Sequence, residues 1–202
     1  MGAPSNCTAC PLHQHRTTVV NGRIVGTESE VPVMVVGEGP GIQEDSKGLP
    51  FIGPTGAYLA QALMLRGINS YALTNATRCH PGETKKDSEM AAGIKACAPY
   101  LLEDINEIHP KVILALGAWA TRALGFNDPM GTILCHTLEG PNGIPVVVSY
   151  HPSYFMRDAG NLHLFDIAVL KVRLLRDGVG YGKSWPPQLL TLEEMKNAYD
   201  CS

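Results

Sequence analysis

Four short runs of Val, Ile, Leu and Met, apolar at nearly every position rather than at alternate ones, constrain this chain more than anything else in it. They span 31–36, 71–74, 112–116 and 145–150. A strand that is apolar throughout is covered on both faces, the condition of a parallel sheet with helices on either side. Helical patterns lie between the runs, at 57–65, 87–108, 118–124 and 162–175. Asp87 or Ser88 can cap the second, and His109-Pro110 ends it. The last carries Leu164, Ile167, Ala168 and Leu175 on one side and Lys171, Arg173 and Arg176 elsewhere. Strand and helix therefore alternate, and the fold class is α/β with a parallel sheet. Ligands of such sheets bind beyond the carboxyl ends of the strands. Residues 1–180 read as one domain and 181–202 as a C-terminal appendage, with Trp185-Pro186-Pro187 and an acidic, helix-like stretch at 192–199.

Composition removes several alternatives. An apolar content of 45% against 17% charged excludes a disordered chain. No apolar run approaches the roughly 20 residues of a membrane helix. The start, Met1 to Asn6, lacks a basic region followed by an apolar core, so a cytoplasmic location is expected. The net charge of −3 argues against charge-driven coating of nucleic acid, although one face can still be basic.

The segments after the strands carry the polar chemistry. The first run leads into Gly37-Glu38-Gly39-Pro40-Gly41, Glu44-Asp45 and Gly48-Leu49-Pro50-Phe51-Ile52-Gly53. Neither common nucleotide-loop motif is present. These glycines fit a tight strand-to-helix turn or a backbone that approaches a ligand closely. The second run leads into Asn75, Arg78, Cys79-His80-Pro81 and Lys85-Lys86. An Asn side chain there can present a carbonyl and an NH2 together to a base edge. Lys85 and Lys86 can meet phosphates, or form a solvated charge pair with Glu83 and Asp87. The fourth run leads into His151-Pro152-Ser153. The proline holds the histidine extended. It is either a ligand-facing group or a satisfied interior histidine.

Six cysteines are too few for a disulfide scaffold. Cys7 and Cys10 form a C-x2-C pair, whereas 17 residues separate Cys79 from Cys97. Four thiolates suit zinc or an iron–sulfur cluster, and the second spacing is too wide for an ordinary zinc knuckle. Cys135 and Cys201 are left over.

In this order and spacing, these blocks resemble the iron–sulfur, family 4 branch of the uracil-DNA glycosylase superfamily. The resemblance runs from Cys7-Thr8-Ala9-Cys10-Pro11 to about Leu175. It takes in Thr74-Asn75, Cys97-Ala98-Pro99-Tyr100, Pro110-Lys111-Val112-Ile113, Leu116-Gly117 and His151-Pro152-Ser153. It implies a three-layer α/β/α sandwich around a central four-stranded parallel sheet. It implies a structural [4Fe–4S] cluster on Cys7, Cys10, Cys79 and Cys97. It also implies an enzyme that flips uracil out of DNA and hydrolyses its N-glycosidic bond. Gly37, Glu38 and Gly39 would line the pocket, Phe51 would stack on the base, and Asn75 would read its edge. His151 would donate to uracil O2, and Glu44 matches a second acid near the water. Arg78, Lys85, Lys86 and Arg157 are the expected phosphate contacts, and Phe155 the wedge entering the gap left by the base. The partner implied is uracil-containing DNA, bound by a monomer, with the tail available to a replication or repair protein.

The chain departs from the family pattern in places. Gly39 stands where better-known superfamily members carry a water-positioning Asp. His80-Pro81-Gly82 replaces Arg-Pro-Pro, and Tyr154-Phe155-Met156 replaces leucines. The altered rim keeps open two alternatives: excision of another modified pyrimidine, and a non-catalytic iron–sulfur DNA-binding module.

Overall fold

The computed structural model describes residues 2–27, 30–83, 86–157 and 159–179. Six strands form one sheet: β1 (Arg23–Val25), β2 (Val33–Gly37), β3 (Tyr71–Asn75), β4 (Val112–Leu116), β5 (Thr137–Glu139) and β6 (Pro145–Ser149). Their order is β1-β3-β2-β4-β6-β5. The four inner strands are parallel and are the four apolar runs. The two outer strands are antiparallel and three residues long. The expected four-stranded parallel sheet is thus the centre of a six-stranded one. Short outer strands, β1 half-buried and β5 mostly exposed, cap its edges, which limits edge-to-edge pairing with other chains.

The helices are α1 (Ile42–Lys47), α2 (Pro54–Leu65), α3 (Asp87–Ile108), α4 (Ala118–Ala123), α5 (Met130–Ile133), α6 (Pro152–Arg157) and α7 (Leu162–Arg176). Alternation along each inner strand divides the core in two. On one face Val33, Val35, Leu73, Leu114 and Val147 pack with Leu59 and Leu63 of α2, Phe155 of α6 and Phe165 and Val169 of α7. On the other face Met34, Val36, Ile113, Ala115 and Val148 pack with Leu101 and Ile105 of α3 and Ala120 of α4. That is the expected three-layer sandwich. α3 starts at Asp87, but neither Asp87 nor Ser88 caps it; the N-cap is Lys86, which makes no side-chain cap bond. Among the described residues no helix is long and apolar enough to cross a membrane.

Because all four inner strands run the same way, the segments following β2, β3, β4 and β6 emerge at one end of the sheet. Gly37 lies beside Asn75 in the parallel register of β2 and β3. The segment holding His151 leaves β6 at that same end.

Candidate active site

Backbone and side-chain hydrogen bonds hold the loops after β2 and β3 together. The N–H groups of Ala76 and Thr77 donate to the carbonyls of Gly37 and Glu38, at 2.8 and 3.2 Å. Thr77, fully buried, lies within hydrogen-bond reach of the Glu38 and Cys79 carbonyls, at 3.4 and 3.3 Å. His80 Nδ1 bonds the Pro40 carbonyl at 2.9 Å. A side chain at position 39 would stand 2.7 Å from Thr77 Oγ1, so the packing of the two loops requires glycine there.

Gly37, Phe51 and Asn75 meet at one point. A Cβ on Gly37 would overlap Asn75 Oδ1 and come within 2.6 Å of Phe51 Cζ. Asn75 is buried, 4% exposed, with its amide against the strand end. Phe51 adopts a left-handed backbone with φ of 55°, unfavourable for a bulky residue. Such strain persists only where the surroundings enforce it, and it concentrates at ligand sites. Glu44 supplies the enforcement. Its Oε1 accepts the N–H groups of Ile52 and Gly53, at 3.0 and 2.9 Å. The sequence marks Glu44 as an acid; its bonds make it the clasp of the turn that carries Phe51.

Glu38 folds over Gly117, and its Oε1 accepts the Trp119 N–H at 3.3 Å at the start of α4. His151 Nδ1 lies 2.8 Å from Ser153 Oγ and 3.3 Å from the Ser153 backbone nitrogen. That backbone N–H can only donate, so Nδ1 is an acceptor, and this assigns the ring proton to Nε2. Ser153 sets the tautomer, a role its place in the motif alone does not reveal.

The four expected thiols come from an N-terminal arm, the loop after β3 and the middle of α3. Cys79 and Cys97 are buried, and Cys7 and Cys10 half-buried. Cys10 and Cys79 share a small core with Leu12, Met90 and Trp119. Burial pushes the Cys79 thiol up to about 11; Arg16, 3.5 Å from its sulfur, pulls the other way, and Cys97 and Cys10 add to the rise. Burial also raises Cys97, opposed by a hydrogen bond from the Arg78 backbone and reinforced by Cys10 and Cys7. The four sulfurs are therefore close enough to feel one another's charge. Among the described residues no three His, Cys, Asp or Glu side chains are gathered as a single metal ion requires. Four thiols, two buried and two half-buried, are the donor type that an iron–sulfur cluster takes. Asp45, 5% exposed, fastens the arm by accepting the N–H groups of Thr17 and Thr18, at 2.7 and 3.1 Å. Cys135 lies apart, its thiol donating to the Leu164 carbonyl at 3.3 Å, and burial raises it to about 11.

Two expected DNA contacts are corrected. Arg78 is 1% exposed and paired with Asp104 at 2.5 Å, so it faces the interior rather than phosphate. Phe155 is 1% exposed, packed edge-on to Tyr150 and Tyr154 and against Phe165. Its burial leaves it unable to enter a duplex, and the neighbouring Met156 is the exposed apolar side chain, at 55%. Lys86 is exposed and bonded to Glu89 at 3.2 Å. Lys85, the side chain of Arg157, the 181–202 appendage and Cys201 lie outside the described residues.

The family described as the uracil DNA glycosylase superfamily matches residues 25–173. The chain is 35% identical over 182 residues to the type-4 uracil-DNA glycosylase of Thermotoga maritima, covering 85% of this chain and 91% of that one. It is 32% identical over 163 residues to the type-4 uracil-DNA glycosylase of Pyrobaculum aerophilum, covering 75% and 80%. It is 28% identical over 204 residues to the type-5 uracil-DNA glycosylase of the same organism, covering 85% and 89%.

Removing the clasp should loosen the Phe51 turn locally. A hydrogen bond to a charged acceptor contributes about 1.5–3 kcal/mol, and 1.4 kcal/mol is about tenfold in an equilibrium. In Glu44→Ala the amides of Ile52 and Gly53 should exchange with solvent at least about tenfold faster. Glu44→Gln, which keeps an acceptor oxygen, should recover most of the protection. Hydrogen exchange resolved to these two amides checks this.

Proposed function

The chain belongs to the uracil DNA glycosylase superfamily and, within it, to the type-4 uracil-DNA glycosylases, and from that membership we propose that it removes uracil from DNA in repair by hydrolysing the N-glycosidic bond. The observation that carries this reading for the chain's own residues is the meeting of Phe51, Gly37 and Asn75 at the strand end where His151 also emerges.

A base inside a duplex is out of reach, so the target must be flipped out, at a cost of a few kcal/mol. Stacking on Phe51 returns about 1–3 kcal/mol. The ring is fixed in its turn beforehand, so little ordering remains to be done on binding. The bare Cα of Gly37 lets the Phe51 ring and the Asn75 amide come together at the strand end, where a Cβ would overlap both. The Asn75 carbonyl accepts from uracil N3–H, and its NH2 donates to O4. Cytosine reverses both groups, and each buried mismatch costs about 1–3 kcal/mol. Thymine passes this reading, so its 5-methyl group must be refused sterically, by the Glu38 to Gly41 turn and Phe51.

As the bond between C1′ and N1 breaks, its electron pair leaves with the base, and positive charge develops on the sugar. His151 donates from Nε2 to uracil O2, where negative charge accumulates, an oxyanion-type stabilisation. The Ser153 N–H bonded to Nδ1 supports that assignment. The Glu38 carboxylate steadies the cationic sugar or orients the water that adds to C1′. Glu44, through Ile52 and Gly53, positions Phe51, and its second oxygen, beside Gly41, is our candidate partner for that water.

Cys7, Cys10, Cys79 and Cys97 would hold a [4Fe–4S] cluster, whose contribution is structural, tying the arm to the loop after β3 and to α3. Met156 replaces Phe155 as our candidate wedge, and Lys86 remains a candidate phosphate contact. We read the protein as a monomer acting on cytoplasmic DNA.

Incubation with a uracil-containing oligonucleotide, followed by alkaline cleavage, should reveal abasic sites; intact strands would overturn the function. His151→Ala should slow single-turnover base release by about 100-fold, the usual effect of deleting one donor to a developing anion. Met156→Ala should lose far more activity on duplex than on single strands, which need little unstacking. Equal losses on both would remove Met156 from the wedge role. Protein purified anaerobically should carry about four irons per chain and absorb broadly in the visible range. Cys79→Ala should lose that iron and Cys135→Ser should keep it, as metal analysis would reveal.

A further inference from the structure

The loop from Asn75 to Cys79 is wrapped around a buried cation. Arg78 Nη1 donates to Thr74 Oγ1 and, at 3.4 Å, to the Asn75 carbonyl. Its Nη2 donates to Asp104 Oδ2 at 2.5 Å, and the Thr74 hydroxyl donates to that same oxygen at 2.8 Å. Arg78 Nε is buried without a hydrogen-bond partner, so the grip rests on the two terminal nitrogens. The main chain of the same residue points the other way. Its carbonyl accepts the Val20 N–H at 2.8 Å. Asp104 and Cys97 stand on α3, seven residues and so about two turns apart. A cavity of about 320 Å³, lined by Thr74 and Asp104 among others, opens beside the pair.

Apolar residues of the same volume often replace a buried ion pair without loss of stability, so the contacts that this guanidinium makes are of interest for the geometry they fix. Here the geometry secured is that of Asn75. The side-chain amide of Asn75 already lies against the Gly37 backbone, so a small shift of its carbonyl would move Oδ1 within the pocket.

We propose that Arg78 is a positioning residue for base reading: with Asp104 it fixes the Thr74 side chain just before Asn75 and the main-chain carbonyl of Asn75 itself. The proposal rests on the reading of Asn75 as the uracil-recognising residue. Arg78 touches neither base nor DNA; it acts only through Asn75.

The test uses iron-loaded protein. Arg78→Met combined with Asp104→Leu removes both charges together, leaving no lone ion in the interior. A misplacement of about 1 Å at a reacting or reading group can cost on the order of 100-fold. The paired variant should therefore keep full iron content and visible absorption, lose on the order of 100-fold in single-turnover uracil release, and discriminate less well against cytosine. Arg78→Lys keeps a charge on Asp104 but loses the fork, and should lose about tenfold with iron intact. The deciding measurement is the same pair in an Asn75→Ala background. If Arg78 works through Asn75, the pair costs less than about twofold there, because the two losses are not additive. Additive losses, iron that falls in step with activity, or wild-type rates in both the paired variant and Arg78→Lys would each overturn the proposal. Wild-type protein that leaves uracil in place would instead overturn the function on which it rests, and that control is read first.

Discussion

The parallel pairing of β2 with β3, Gly37 beside Asn75, is the constraint on which the site depends. It delivers two loops from distant parts of the sequence to one place and in one direction. Once they are side by side, Thr77 and His80 bind one loop to the other, and glycine at 37 and 39 becomes a packing requirement. The sheet's hydrophobic faces supply the rigidity. Val33 and Val35 are clamped by α2 and α7, and Met34 and Val36 by α3 and α4, so the strand ends cannot drift. What the site adds is local: a strained Phe51, a clasping Glu44 and a histidine whose tautomer is set by Ser153.

The inner strands were legible because burial on both faces demands an unbroken apolar run, and that demand leaves a mark in the sequence. Strands β1 and β5 left none. Each is three residues long and at most half-buried, so charged residues such as Arg23 and Glu139 stand in them and break any apolar run. The short helices α1 and α6 were also invisible, because each is a turn or so within a motif whose residue types serve the site. Of the site, the residue types and their order were readable, but the direction of each side chain was not. Arg78 reads as a surface cation until Asp104, 26 residues away, is found to hold it inside. Phe155 reads as an exposed aromatic until Phe165 and the two tyrosines enclose it. Both errors share one cause: burial is decided by partners distant in sequence, and no local pattern records them.

The two carboxylates of the Glu44-Asp45 pair illustrate how α1 divides its labour. Glu44 reaches forward to the Phe51 turn, whereas Asp45 reaches back to Thr17 and Thr18. Neighbours on a helix point about 100° apart, so one short element can grip the pocket wall and the cysteine-bearing arm at once. The pocket and the thiol group are therefore mechanically joined twice, through α1 and through the loop from Asn75 to Cys79.

The separation of the thiols along the chain has a consequence for how the protein is made. Cys7 and Cys10 leave the ribosome well before Cys97, and at 5–20 residues per second the interval is roughly 4–17 s. During that interval the arm has no partner on α3. The first two sulfurs emerge before their mates exist, and closing so long a loop is slow relative to local helix formation. Completion of the thiol group is thus a late event in biosynthesis, possible only once α3 has emerged, although Asp45 can already hold Thr17 and Thr18 of the arm.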